Sequence, residues 1–259
     1  MTTEHLLEDR PLAPLRAMAN KVPEVTLYFW IIKVLTTGMG ETASDFLARR
    51  LGPVPAVALG GLALAASLAA QFAVRRYTAW VYWTAVVMVS VFGTMAADVL
   101  HVGLGVSYAV STPLFLTALV AVFALWYASE RTLSIHGIRT RRREAFYWAA
   151  VLATFALGTA AGDLSATAGM GYLGSVVLFA VAICVPAVAH RFMGLNAVTA
   201  FWTAYVITRP LGASLADWMA LGHARGGLGL GLGPVTLAWT VAIACFVGFL
   251  AVSRRDTER

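Results

Sequence analysis

Apolar residues gather into eight blocks of about twenty, each bounded by glycine, proline or charged residues. At 1.5 Å of rise per residue, a helix of ~20 residues crosses the ~30 Å hydrocarbon core of a bilayer. The blocks predict helices near 25–47, 54–74, 79–100, 108–129, 145–167, 172–189, 196–220 and 232–252. Transmembrane strands would instead show segments of ~10 residues with alternating polarity. Of the 259 residues only 12% are charged, which is too few to cover a soluble globule of this size. The expected fold class is therefore an all-α membrane protein with eight transmembrane helices built from four repeated helix hairpins.

The formal charge is +6, and the placement of the basic residues explains it. One set of loops holds Arg75, Arg76, Arg131, Arg139, Arg141, Arg142, Arg143 and Arg191, and the tails add Arg10, Arg16, Lys21, Arg254, Arg255 and Arg259. Together these are fourteen of the nineteen Lys and Arg residues; the opposite loops carry only Arg49, Arg50 and Arg225. Such asymmetry predicts that both termini lie in the cytoplasm. Anionic lipid head groups are the natural contacts of these loops, and nucleic acid is excluded as a partner. The first twenty residues include Glu4, Glu8, Asp9, Arg10 and Arg16 and lack an apolar core, so the first helix is expected to anchor the chain without a cleavable signal. His5, His136 and His190 fall on the cytoplasmic side. Cys184 and Cys245 stand alone inside apolar runs and read as small core residues.

Self-comparison exposes the repeat. Trp30, Trp83, Trp148 and Trp202 are each followed fifteen positions later by an aspartate, at Asp45, Asp98, Asp163 and Asp217. An aromatic residue precedes every Trp: Phe29, Tyr82, Tyr147 and Phe201. Five positions before every Asp is a glycine: Gly40, Gly93, Gly158 and Gly212. A small residue immediately precedes each Asp, completing a small-xxx-small ridge that lets helices approach closely in lipid. The arrangement divides the chain into a tail at 1–24, a first four-helix half at 25–129, an Arg-rich loop at 130–144, a second half at 145–252 and a tail at 253–259. Fifteen residues span about 22 Å of helix, so tryptophans anchored at the inner interface put the aspartates in the outer third of the bilayer.

One turn before the aspartates stand Glu41, Thr94, Thr159 and Ala213, on the same helix face. Convergence of the odd helices would bring together Glu41, Asp45, Asp98, Asp163 and Asp217, with Thr94 and Thr159 beside them. Five unpaired carboxylates at roughly 2.5–3.5 kcal/mol apiece are untenable in a bilayer without cations, protons or water. Lys33 and Arg209, each eight residues before an acid, supply two internal bases. The remaining charge predicts either bound metal cations or protons shared among the carboxyls with raised pKa values, and for a metal the oxygen-only ligands favour Mn, Mg or Ca over the softer metals. Met39, Met95 and His101 lie near the acidic level in two repeats only, while His101 and His223 read as loop-facing residues.

The stretch Lys21-Val-Pro-Glu-Val-Thr, followed by Phe29-Trp-Ile-Ile-Lys33 and Thr37-Gly-Met-Gly-Glu-Thr-Ala-Ser-Asp45, resembles the opening of a bacterial family of uncharacterised membrane-anchored proteins. The resemblance extends over all four hairpins. It implies a bacterial inner-membrane location and brings no activity or site residue with it.

Function therefore rests on the acidic set. It points to a secondary transporter, an exporter of a hard divalent metal cation, with no resident cofactor and a metal or other cation as substrate. Metalloprotease, serine hydrolase and Walker A motifs are absent, so an enzyme is not expected. The alternatives are a transporter or channel for protons, monovalent or small organic cations, and a membrane scaffold in which the charges pin the bundle.

Overall fold

The computed structural model describes residues 20–257. The expected roles of residues 1–19 and of Arg259 lie outside the described residues. Eight helices of 20–25 residues run up and down: α1 (Leu27–Leu51), α2 (Pro53–Ala73), α3 (Ala79–Asp98), α4 (Tyr108–Glu130), α5 (Arg141–Ser165), α6 (Gly171–Met193), α7 (Ala197–Ala220) and α8 (Leu232–Ser253). Each of the four hairpin turns passes through a left-handed glycine, among them Gly52, Gly105, Gly169 and Gly231, where a side chain would be strained.

Five stretches are long and apolar enough to cross a membrane: Pro53–Ala73, Ala79–His101, Tyr108–Glu130, Arg141–Met193 and Leu232–Ser253. The remaining helices, α1 and α7, carry Lys33, Glu41 and Asp45, and Arg209 and Asp217 respectively, which lower their hydropathy. α5 starts four residues earlier than the sequence suggests. Thr140 caps it by accepting from the Arg143 amide, and Glu144 in its first turn faces the positive end of the helix. The segment 130–144 is thus only partly a loop. Glu144 is fully buried and accepts from Lys21 Nζ at 2.6 Å and from Gln71 at 3.1 Å, tying residues 20–25 across the base of the bundle. The backbone at Glu24 donates to Asp256, which also holds the Tyr77 hydroxyl, so both ends of the described chain meet on one face. Burial and the Tyr77 contact dominate the environment of the Asp256 carboxyl, and burial pushes its pKa upward.

Self-similar sequence becomes cyclic packing. α1 lies against α3, α3 against α5, α5 against α7, and α7 returns to α1. The even helices sit outside this ring, α2 on α3, α4 on α5, α6 on α7 and α8 on α1, so each packs on the odd helix of the next repeat. The halves 25–129 and 145–252 are thereby joined in one ring.

The ring closes through the four repeated glycines. A Cβ on Gly40 would fall 1.8 Å from Ser90 Oγ, and one on Gly93 would fall 2.7 Å from Phe155 Cβ. On Gly158 it would meet Arg209 Cγ at 2.3 Å, and on Gly212 Thr37 Oγ1 at 1.9 Å. Thr37, Ser90, Phe155 and Arg209 all occupy the position eight residues before the repeat's aspartate. Every junction therefore sets the glycine of one repeat against the same position of the next.

Large exposed apolar side chains are concentrated on the outer helices, for example Leu62 on α2, Val120 on α4, Val181 on α6 and Val241 on α8. This apolar belt is what a lipid-facing surface requires. Cys184 and Cys245 are exposed on the same outer helices, contrary to the expectation of core residues, because the even helices bury only a narrow face. The repeat tryptophans also differ from expectation. Trp83, Trp148 and Trp202 are buried among aromatic neighbours rather than exposed on the outer surface, whereas Trp80, outside the repeat pattern, is half exposed.

The junction geometry separates two glycines of one helix. Gly158→Ala is expected to destabilise the protein by about 1–3 kcal/mol through overpacking against Arg209. Gly162→Ala, whose added carbon would sit 3.6 Å from Pro210, is expected to be tolerated. Thermal unfolding of the purified variants in detergent checks the difference.

Candidate cation site

The odd helices end in a cavity of about 560 Å³ beneath the hairpin turns, on the face opposite the chain ends. Glu41, Asp45, Asp98, Asp163 and Asp217 all line it, so the acids of all four repeats share one space as the spacing predicted. Glu41 and Asp217 are buried and the other three are partly exposed. Asp45 pairs with Arg49 at 3.4 Å. The carboxylates of Asp98 and Asp217 accept no hydrogen bond or ion pair among the described residues, and the fully buried Ser44 hydroxyl on the cavity wall has no partner there either.

The acids are spread around the walls. Among the described residues, no three acidic, histidine or cysteine side chains stand close enough to grip one metal ion directly. Five carboxylates face three guanidinium groups: Arg49 and Arg225 on the wall, and Arg209 at the floor. With every carboxyl ionised, the acids would outnumber these bases by two.

Two irregular turns follow Asp98 and Asp163, and the first contributes Val99 and Gly103 to the cavity wall. α3 and α5 each continue into a five-residue π turn, Val99–Gly103 and Ala166–Met170, a rare geometry that tends to mark functional positions. The first of these places His101 against the Val106 carbonyl at 2.9 Å and the Ser111 hydroxyl at 3.3 Å, with its ring 4.1 Å from that of Tyr108. His101 thus holds Tyr108, which lines the cavity together with Tyr172. His223 bonds the Gly227 carbonyl within its own loop.

Arg209 forms the floor. Its Nη2 donates to Glu41 at 2.6 Å, to Thr159 Oγ1 at 2.7 Å and to Thr94 Oγ1, while Nη1 donates to the Thr37 carbonyl at 3.2 Å. Thr94 and Thr159 give their own protons to the carbonyls of Ser90 and Phe155 at 3.0 Å, so both present only lone pairs to the guanidinium. The residues one turn before the aspartate in repeats one to three thus surround a base entering from repeat four, where Ala213 leaves room.

Lys33 follows Arg209 inward; it points into the bundle, and the acid or polar partner expected of an internal base is not among the described residues. Its fully buried amine nitrogen lies 4.0 Å from the Phe155 ring centroid and 4.1 Å from that of Tyr205, with no hydrogen-bond partner among the described residues. Aromatic quadrupoles hold it instead. Below it Phe29, Tyr82, Tyr147, Phe201 and Tyr205 form an aromatic plug, in which the Tyr82 and Tyr147 hydroxyls bond one another. The cavity is consequently open at one end and sealed at the other.

Tyr108, Tyr172, Ser44, Arg49 and Arg225 were not singled out by sequence reasoning. Tyr108 and Tyr172 follow their aspartates by ten and nine positions, a near-repeat that the two-residue tryptophan and aspartate frame does not reach. Arg49 and Arg225 were counted only as loop charges.

A family described as a repeat of unknown function, DUF347, matches residues 28–77, 81–132, 146–194 and 200–256. These four matches coincide with the four hairpins, and the chain belongs to that family. No curated protein and no solved structure matches it.

Removing one partner of the floor pair should be costly. Glu41→Gln leaves the Arg209 guanidinium buried without its counter-charge and is expected to cost about 3–5 kcal/mol. Asp45→Asn removes only a partly exposed pair with Arg49 and should cost less than about 1 kcal/mol. Detergent unfolding curves of both variants test the contrast.

Proposed function

We propose that this protein is a secondary transporter of cations, embedded through all eight helices in a bacterial inner membrane with both termini in the cytoplasm. The observation that carries the reading is the shared cavity, in which five carboxylates outnumber the nearby guanidinium groups by two. In a low-dielectric surrounding such an excess is stabilised by taking up positive charge. The unpartnered Ser44 hydroxyl and the buried Asp217 carboxylate supply further acceptors on the wall. One divalent ion would balance the excess. The wide spacing of the acids favours an ion that keeps part of its water shell, as Mg²⁺ and similar hard ions do.

A small organic cation is the second reading. It is favoured by the volume of about 560 Å³, within the range of small-molecule pockets, and by the tyrosine rings of Tyr108 and Tyr172 on the wall. The sealed inner end supports alternating access over an open pore. Binding competes with protons for the same carboxylates, so exchange of cation for protons is the natural coupling.

The test is thermal stability of the purified protein with Mn²⁺, Mg²⁺, Ca²⁺ and a short alkyl diamine. We expect at least one to raise the melting temperature near neutral pH. Carboxylates must be ionised to bind, so the rise should shrink on acidification. Asp98→Asn and Asp163→Asn should remove it. No shift with any cation, together with unchanged behaviour of these variants, overturns the reading.

A further inference from the structure

The floor of the cavity has the construction of a second cation site. We infer that the groups around Arg209 form an inner cation station on the axis of the ring, selective for guanidinium-type or small ammonium ions, which Arg209 occupies as a tethered substitute. The inference deepens the transporter reading, on which it rests only for placing the station along a transport path; the binding itself is independent of transport.

Three features carry it. First, the station offers acceptors only. Glu41 contributes a carboxylate, Thr37 a carbonyl, and Thr94 and Thr159 contribute hydroxyls whose protons are committed to Ser90 and Phe155. A guanidinium carries donors only, so an all-acceptor shell suits it whether it is tethered or free, and such a shell selects positive charge. Second, acceptors exceed donors at the point of contact. Nη2 carries two protons and faces Glu41, Thr94 and Thr159 together. Arg209 Nε, meanwhile, is buried with no partner. The shell fits the head of a guanidinium and ignores the tether.

Third, the station continues the axis. Glu41 belongs both to this shell and to the wall of the acidic cavity, so an ion leaving the cavity inward meets this shell next. Further in, Phe155 lies under both Arg209 Cζ, at 5.4 Å from its ring centroid, and Lys33 Nζ, at 4.0 Å. The protein thus keeps its own basic side chains at two successive levels below the cavity. For a substrate to advance, Arg209 must withdraw, which makes it both the competitor for the inner station and the seal against leakage.

The experiment empties the station and refills it. Arg209→Ala is purified in detergent and its melting temperature is followed against low millimolar guanidinium, with sodium chloride at matched ionic strength as the control. We expect a saturable rise of several degrees in Arg209→Ala. Wild type, whose station is filled, should show no such rise, nor should Arg209→Ala combined with Glu41→Gln. A response equal in the double variant, or none in Arg209→Ala, overturns the inference. If Arg209→Ala is not recovered folded, extraction is repeated with guanidinium present throughout, and for Arg209→Gln alongside. Guanidinium-dependent recovery supports the station, and failure of both variants to be recovered with guanidinium present counts against it. The inner station and the outer cavity can fail separately, because the cavity is tested by its aspartate variants in the wild-type Arg209 background.

Discussion

Close approach of four helices at four glycines is the constraint on which the remaining structure depends. In lipid there is little hydrophobic drive for one helix to find another, so contact has to come from packing and from polar groups that lack water. Gly40, Gly93, Gly158 and Gly212 permit that contact, and each receives the residue eight before the aspartate of the following repeat. Because the last junction returns Gly212 to Thr37, the ring closes and the faces carrying the acids turn inward together. Any side chain at these glycines would open a junction and move a carboxylate with it.

Repetition alone would put four like charges on one axis, and the sequence breaks the symmetry where that would be costly. At the level one turn before the aspartate, the repeats offer one acid, two hydroxyls and one methyl: Glu41, Thr94, Thr159 and Ala213. At the level eight before, they offer Thr37, Ser90, Phe155 and Arg209. One acid thereby meets one base on the axis, and the two neutral hydroxyls complete the shell of that base. Asp98 and Asp217 are left without such compensation among the described residues, in a space large enough to admit a ligand. One acid and one base pair in the floor, Lys33 below them rests against aromatic rings, and the remaining acids line the cavity.

Much of this architecture is legible in the sequence because its signals are periodic. Helix number, hairpin repeat and the five cavity acids follow from block length and from the tryptophan, glycine and aspartate spacing. Those features depend on position along one helix. What escaped depends on contacts between helices. The tryptophans have the composition of interface anchors, yet the ring draws them into an aromatic plug with Tyr82, Tyr147 and Phe201. Lys33 reads in the sequence as an internal base for the acidic set, but the groups it meets across the ring are the rings of Phe155 and Tyr205. Glu144 read as a loop residue, and only the return of Lys21 beneath the bundle explains its burial.

Charge movement in reconstituted membranes tests the central claim, that an acidic cavity in a closed ring carries cations across the bilayer. Proteoliposomes adsorbed on a solid support are exposed to steps of Mn²⁺ and of a short alkyl diamine, and the transient current is recorded. The account predicts a saturable current for at least one of them in the wild-type protein, weakened at acid pH and absent in Asp163→Asn combined with Asp217→Asn. Saturable currents of equal size in that double variant, or no current with any cation at any pH, would contradict it.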